Sequence, residues 1–125
     1  MANPNIVGVS AIYGNSSQTA LSSTSVTSIV SNAASSGKVY KINMIVVANV
    51  DGASAADITI NIYSNATAGS GTAYAIASTI SVPADASLIV SDKTTAFYLL
   101  ENQSIGAIAG TANDLVVTCS WEEIN

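Results

Sequence analysis

Histidine and arginine are absent from this 125-residue chain, and cysteine and tryptophan occur once each, as Cys119 and Trp121. Without histidine, neither the ordinary Ser-His-Asp and Cys-His arrangements nor the usual zinc spacings can be built. One cysteine closes no internal disulfide. Three lysines against eight acidic residues give a net charge of −5, so the chain lacks the basic patch that neutralises phosphates, and nucleic acid is not an expected partner. Charged residues of both signs make up only 9%, against roughly 25% in typical soluble domains. Long apolar runs are missing too: "MIVVA" is too short to span a bilayer, and "MANPNIVGVS" has no basic region followed by an apolar stretch. A soluble chain with no membrane partner, not exported by a secretory signal, is the expectation.

What fills the space is Ser, Thr, Asn and Ala on the polar side and Ile, Val and Leu on the apolar side, a mixture that fits half-buried pleated surfaces. "DITINIY" alternates Ile58, Ile60 and Ile62 with Asp57, Thr59, Asn61 and Tyr63, the period of a half-buried strand. "KVYKINMIVVANV" predicts a strand with Tyr40, Ile42, Met44, Val46, Ala48 and Val50 on one face and, from Ile45 onward, apolar residues on both. "DGASAAD" joins these two as a hairpin or a short crossover. "AYAIASTISV" places Tyr74, Ile76, Ser78, Ile80 and Val82 in register and ends at Pro83, which cannot continue a ladder. "LIVS", "FYLL", "SIGAIA" and "DLVVTCSWEEI" follow at short intervals. "TSVTSIVSNAA" has apolar residues at helical spacing, yet Ser, Thr and Val are mediocre helix formers, and a strand is favoured. "NIVGVSAIY" reads as the opening strand, and "NATAGSGTA" as an exposed, flexible loop. The length suits one domain, residues 1–125, and close-set short strands predict an all-β antiparallel sandwich or barrel.

Chemistry-bearing constellations are sparse. There is no "GxSxG" elbow, no phosphate-cradling loop followed by Lys-Ser/Thr, and no "DxDxDG" calcium spacing, so neither catalytic residues nor a metal or other cofactor is expected. Glu122 and Glu123 are adjacent acids, but strand alternation sends them to opposite faces and denies them a shared substrate. Asp51, Asp57, Asp85, Asp92, Glu101 and Asp114 fall in or beside turns, where Asp bonds its own backbone. Cys119 shares a face with Leu115, Val117 and Trp121 and reads as core packing, with no nearby cation to activate the thiol. Trp121 either closes the core or anchors an interface. The triplets "NSS", "NAT" and "NQS" are expected by chance in so Ser/Thr/Asn-rich a chain.

The blocks "KVYKINMIVVANVDGASAADITINIYS", "ISVPADASLIVSDK", "FYLLENQSI" and "LVVTCSWEEI", in that order, resemble small virion structural proteins of tailed bacteriophages, notably those of cyanophages. The resemblance covers residues 37–124; Trp121 stands where that group has Tyr, and "NQS" replaces a more acidic turn. It implies an immunoglobulin-like or jelly-roll sandwich in a non-enzymatic particle component. A capsid decoration, or cement, protein is the leading expectation, one that binds the major capsid protein and sister copies on the capsid surface of a virion assembled in the host cytoplasm. The oligomer expected is a trimer or another closed form. The alternatives are a neck, tail or fibre component, including a host-surface carbohydrate-binding module that would use exposed rings among Tyr13, Tyr63, Tyr74, Tyr98 and Trp121. Residues 1–5 are a candidate arm contacting a neighbour, since Pro4 gives them no fold of their own, and Asn3, Pro4, Asn5 and Trp121 are the candidate interface residues.

Overall fold

A computed structural model describes residues 4–125. Among these residues the chain forms nine strands: β1 (Ile12–Ala20), β2 (Thr27–Asn32), β3 (Val39–Asn49), β4 (Ala56–Tyr63), β5 (Ala73–Val82), β6 (Ser87–Ser91), β7 (Phe97–Leu99), β8 (Gln103–Ala109) and β9 (Leu115–Ile124). A single 3-10 turn, Lys93–Thr95, separates β6 from β7; the Asp92 side chain caps it by accepting from the Thr94 N–H at 2.9 Å. All pairings are antiparallel. One sheet runs β1-β9-β3-β6, with β7 also paired to β3, and the other runs β2-β8-β4-β5. Beginning at β1, the chain switches sheets at each of the first three connections, and the two sheets close over one another as a sandwich. This is the jelly-roll order, with the strand beside β3 split into β6 and β7. The immunoglobulin-like alternative is not the topology found.

The core follows from period-two alternation. Ile42, Ile45 and Val47 of β3 and Val117 and Cys119 of β9 face Ile58 and Ile60 of β4 and Ile105 and Ala107 of β8, all buried. Each large aliphatic side chain so buried contributes roughly 1.5–3 kcal/mol. Two buried asparagines pin the connections between sheets. Asn32 Nδ2 donates to the Lys38 and Leu99 carbonyls at 3.0 and 3.2 Å while Oδ1 accepts from the Ser36 hydroxyl. Asn49 Nδ2 donates to the Ser54 and Val82 carbonyls, each at 2.9 Å, and Oδ1 accepts from the Asp51 N–H.

Several expectations need correction. The opening strand is not "NIVGVSAIY" but Ile12–Ala20, a mostly exposed and polar stretch whose conformation is set by its unbroken backbone pairing with β9, from Ile12 opposite Ile124 to Ala20 opposite Val116. In β3, a bulge between Ile42 and Met44 breaks the predicted face: Tyr40 and Ile42 point inward, and Ile45 and Val47 continue that face, leaving Met44, Val46 and Ala48 outward. Of the two alternatives for the β3–β4 connection, a hairpin or a short crossover, the crossover between sheets is the one found. In β5, register shifts and a positive φ of 50° at Thr79 break the predicted alignment, so Tyr74 and Ile80 are exposed while Ala77 and Val82 are buried.

The loop predicted to be a flexible tip is folded back instead. Residues 64–72 lie over the outer face of the β2-β8-β4-β5 sheet, where Ser104 Oγ donates to the Asn65 carbonyl at 2.7 Å and the Ala66 N–H donates to Asn102 Oδ1 at 3.1 Å. Tyr63 is buried beneath it, outside the main core. Gly106 makes the approach feasible, because a Cβ there would lie 2.7 Å from Tyr63 Cε2 and 2.9 Å from Val26 Cγ2.

Candidate functional site

Alternation and register define the outer face of the β1-β9-β3-β6 sheet. Across it lie Ala20, Val116, Ala48 and Ser87 in one row, and Gln18, Thr118, Val46 and Ile89 in the next. Met44 and Ser120 follow, then the cross-strand neighbours Lys41 and Glu122. The first two rows carry no charge, and Ile89 is 63% exposed. Beside the β3 bulge, Asn43, Met44, Asp92, Lys93 and Ser120 line a shallow pocket of about 310 Å³. An uncharged strip of Val, Ala, Ile and Thr on a rigid sheet loses little hydration when covered, as an interaction surface requires.

The far end of this face is already covered. Val39 and Ile124 are buried yet stand outside the main core, on the outer side of the sheet. Pro4 and Ile6 lie there with Val39, Tyr98 and Leu100, around a cavity of about 230 Å³. The segment is tied down where the Ser10 and Ala11 N–H groups donate to the Asn125 carbonyl and the Asn125 N–H donates to Ala11. β9 is thus anchored to its end. Of the candidate interface residues, Asn3 lies outside the described residues. Pro4 is half-buried against its own chain, and Asn5 is exposed, its Oδ1 accepting from the Val7 N–H at 3.0 Å.

Trp121 packs on the core from the inner face and stacks with Tyr40, ring centroids 6.3 Å apart at 24°. Its Nε1 and the Ser17 Oγ are buried without hydrogen-bond partners. Beside the rings, Glu123 forms an ion pair with Lys38 and accepts from Asn15 Nδ2. Hydrogen bonding to Glu123 raises the Lys38 pKa, and burial, then the Glu123 charge, raises that of Tyr40. Glu122 lies opposite Lys41 on the other face, so the adjacent acids are separated as alternation requires. Among the described residues no group of three or more His, Cys, Asp or Glu side chains could hold a metal ion, and no helix is long and apolar enough to cross a membrane.

Of the five rings considered for sugar binding, only Tyr63 is fully buried, so the aromatic supply survives burial; its placement does not converge. Tyr13 shares the face of Glu123, Tyr98 the opposite face with Lys41, and Tyr74 sits on β5 of the other sheet.

Cys119 is fully buried, and burial pushes its thiol pKa from 9.0 to about 12. The folded thiol therefore holds its proton more tightly than the unfolded one. Its contribution to stability is fully present below pH 9 and falls as pH rises toward 12, by on the order of 4 kcal/mol. Urea unfolding of Cys119→Ala from about pH 8 to about pH 11 is expected to show a shallower alkaline loss than the parent; equal slopes would remove Cys119 as its source.

No family model matches the chain, and no curated protein matches it. A solved structure from Bacillus endospore appendages, described as a novel family of disulfide-linked pili, is similar in fold: TM-score 0.52 at 17% identity, over 91% of this chain and 88% of that one. At that identity the likeness is one of architecture, and it supports the β-sandwich assignment. With Cys119 buried as the sole cysteine, this chain has no exposed thiol for a comparable link.

Proposed function

We propose that this protein is a non-enzymatic structural component of a phage particle: a capsid decoration protein that lies on the shell, binds the major capsid protein and meets sister copies there. The observation that carries the reading is the uncharged part of the outer face of the β1-β9-β3-β6 sheet, two rows in which Val46, Ala48, Ile89 and Val116 form a firm apolar strip on a jelly-roll scaffold. The order of blocks over residues 37–124 supplies the kind of particle. Neither acidic pair nor thiol is arranged for catalysis: Glu122 and Glu123 diverge, and Cys119 is held protonated.

Shell binding would bury the apolar strip and be stabilised chiefly by hydrophobic contact, so it should survive moderate salt. Purified protein incubated with assembled shells lacking it, and separately with tail assemblies, provides the test. Sedimentation with shells at both low and moderate salt is expected. Sedimentation with tails alone would replace the decoration assignment with a tail role.

A further inference from the structure

We infer that two copies of this chain pair through β1, edge to edge and antiparallel about a two-fold axis centred on Ser16, which joins two β1-β9-β3-β6 sheets into one continuous sheet. The inference deepens the sister-copy part of the proposed function and rests on the structural-subunit reading.

An edge strand presents a row of unpaired N–H and C=O groups, and natural proteins guard such rows with charges, prolines, bulges or short strands. The sandwich has four edges, and three are guarded. β5 is distorted by two register shifts and by Thr79 at φ 50°, and it stops at Pro83. β2 is six residues long, carries a bulge between Ser28 and Val30, and its Ser31 Oγ is taken by the Ala66 carbonyl of the folded-back loop. β6 and β7 have five and three residues, with the 3-10 turn between them. β1 has none of these guards. Its nine residues, "IYGNSSQTA", include no charge and no proline, and they keep an unbroken register with β9. Among the described residues, no backbone hydrogen bond beyond those to β9 is made between Tyr13 and Ala20.

The occupant follows from the same comparison. Of the edges this chain possesses, only β1 is long, regular and open, so the edge that best matches it is β1 of another copy. The strand is compatible with itself. Antiparallel pairing centred on Ser16, the midpoint of Ile12–Ala20, sets Ile12 opposite Ala20, Tyr13 opposite Thr19, Gly14 opposite Gln18 and Asn15 opposite Ser17. No like charges meet, although each chain carries a net charge of −5. Two-fold pairing of one patch with itself also closes, whereas β1 on a different edge would continue into a fibre. The junction extends the uncharged strip of one copy toward that of the other, since Ala20 and Gln18 lie in its two rows.

Sedimentation equilibrium on the full chain tests this directly. The parent is expected to dimerise. Ser16→Lys with Gln18→Lys, both exposed positions, sets like charges together across the axis and should weaken dimerisation by roughly tenfold or more. Ser16→Glu with Gln18→Glu should do the same, and an equimolar mixture of the two variants should recover dimers. Circular dichroism and melting of each variant check that the fold is retained. A parent that stays monomeric, lysine variants that associate as the parent does, or a mixture that fails to recover dimers would each overturn the inference. Shell binding is read by a separate experiment, so a monomeric protein that still sediments with shells would sink β1 pairing and leave the decoration reading standing.

Discussion

Asn49→Ala is expected to lower folding stability by about 3 kcal/mol, a large fraction of what a domain of this size possesses. Asn49 is 2% exposed and sits where β3 leaves its sheet to cross to β4. One side chain satisfies two carbonyls and one N–H there, at Ser54, Val82 and Asp51. Alanine removes three hydrogen bonds, each worth about 1 kcal/mol. It also leaves the Val82 carbonyl, whose bond to Asn49 is buried, short of a partner, where an unsatisfied polar group costs about 1–3 kcal/mol. Asn32→Ala should behave alike, because Asn32 ties Lys38 and Leu99 at another connection. Asn5→Ala, at an exposed site, should change stability by less than about 0.5 kcal/mol. Urea unfolding measures all three, and an Asn49→Ala variant as stable as the parent would refute the pinning role.

Ile89→Asp combined with Val46→Lys is expected to reduce shell binding by about a hundredfold or more while leaving the fold intact. Val46 and Ile89 are cross-strand neighbours in the uncharged strip. In the free protein the introduced Asp and Lys can pair with each other in water, and such exposed pairs change stability little. Once the face is covered, both charges must be desolvated, and the imperfect return on that cost opposes binding. Quantitative co-sedimentation with shells gives the affinity, and a thermal melt of the free variant checks the fold. Binding unchanged by this pair would place the contact on another surface.

Most of the sandwich was legible in the sequence because its inner strands are strongly patterned. β4, β8 and β9 follow simple alternation, and the face shared by Leu115, Val117, Cys119 and Trp121 is the one observed. Failures fall where the backbone departs from period two. The β3 bulge turns Met44, Val46 and Ala48 outward, and Val46 and Ala48 belong to the strip proposed for shell binding; nothing in "YKINMIVV" marks where the extra residue sits. β1 escaped notice for a different reason. An exposed edge strand buries too little to need a hydrophobic pattern, and its conformation is imposed by β9. The folded-back 64–72 loop left one readable sign, a glycine inside the apolar strand "SIGAIA", which often marks a close approach of other chain. The asparagine pins left none, since asparagine at the end of a strand reads equally well as turn chemistry.

Whether this domain covers a shell is tested most directly by the number of copies in each assembled particle. A capsid offers many equivalent positions, so quantitative mass spectrometry of purified particles should find on the order of hundreds of copies. About a dozen copies or fewer, the number a single neck or tail ring accommodates, would contradict the account.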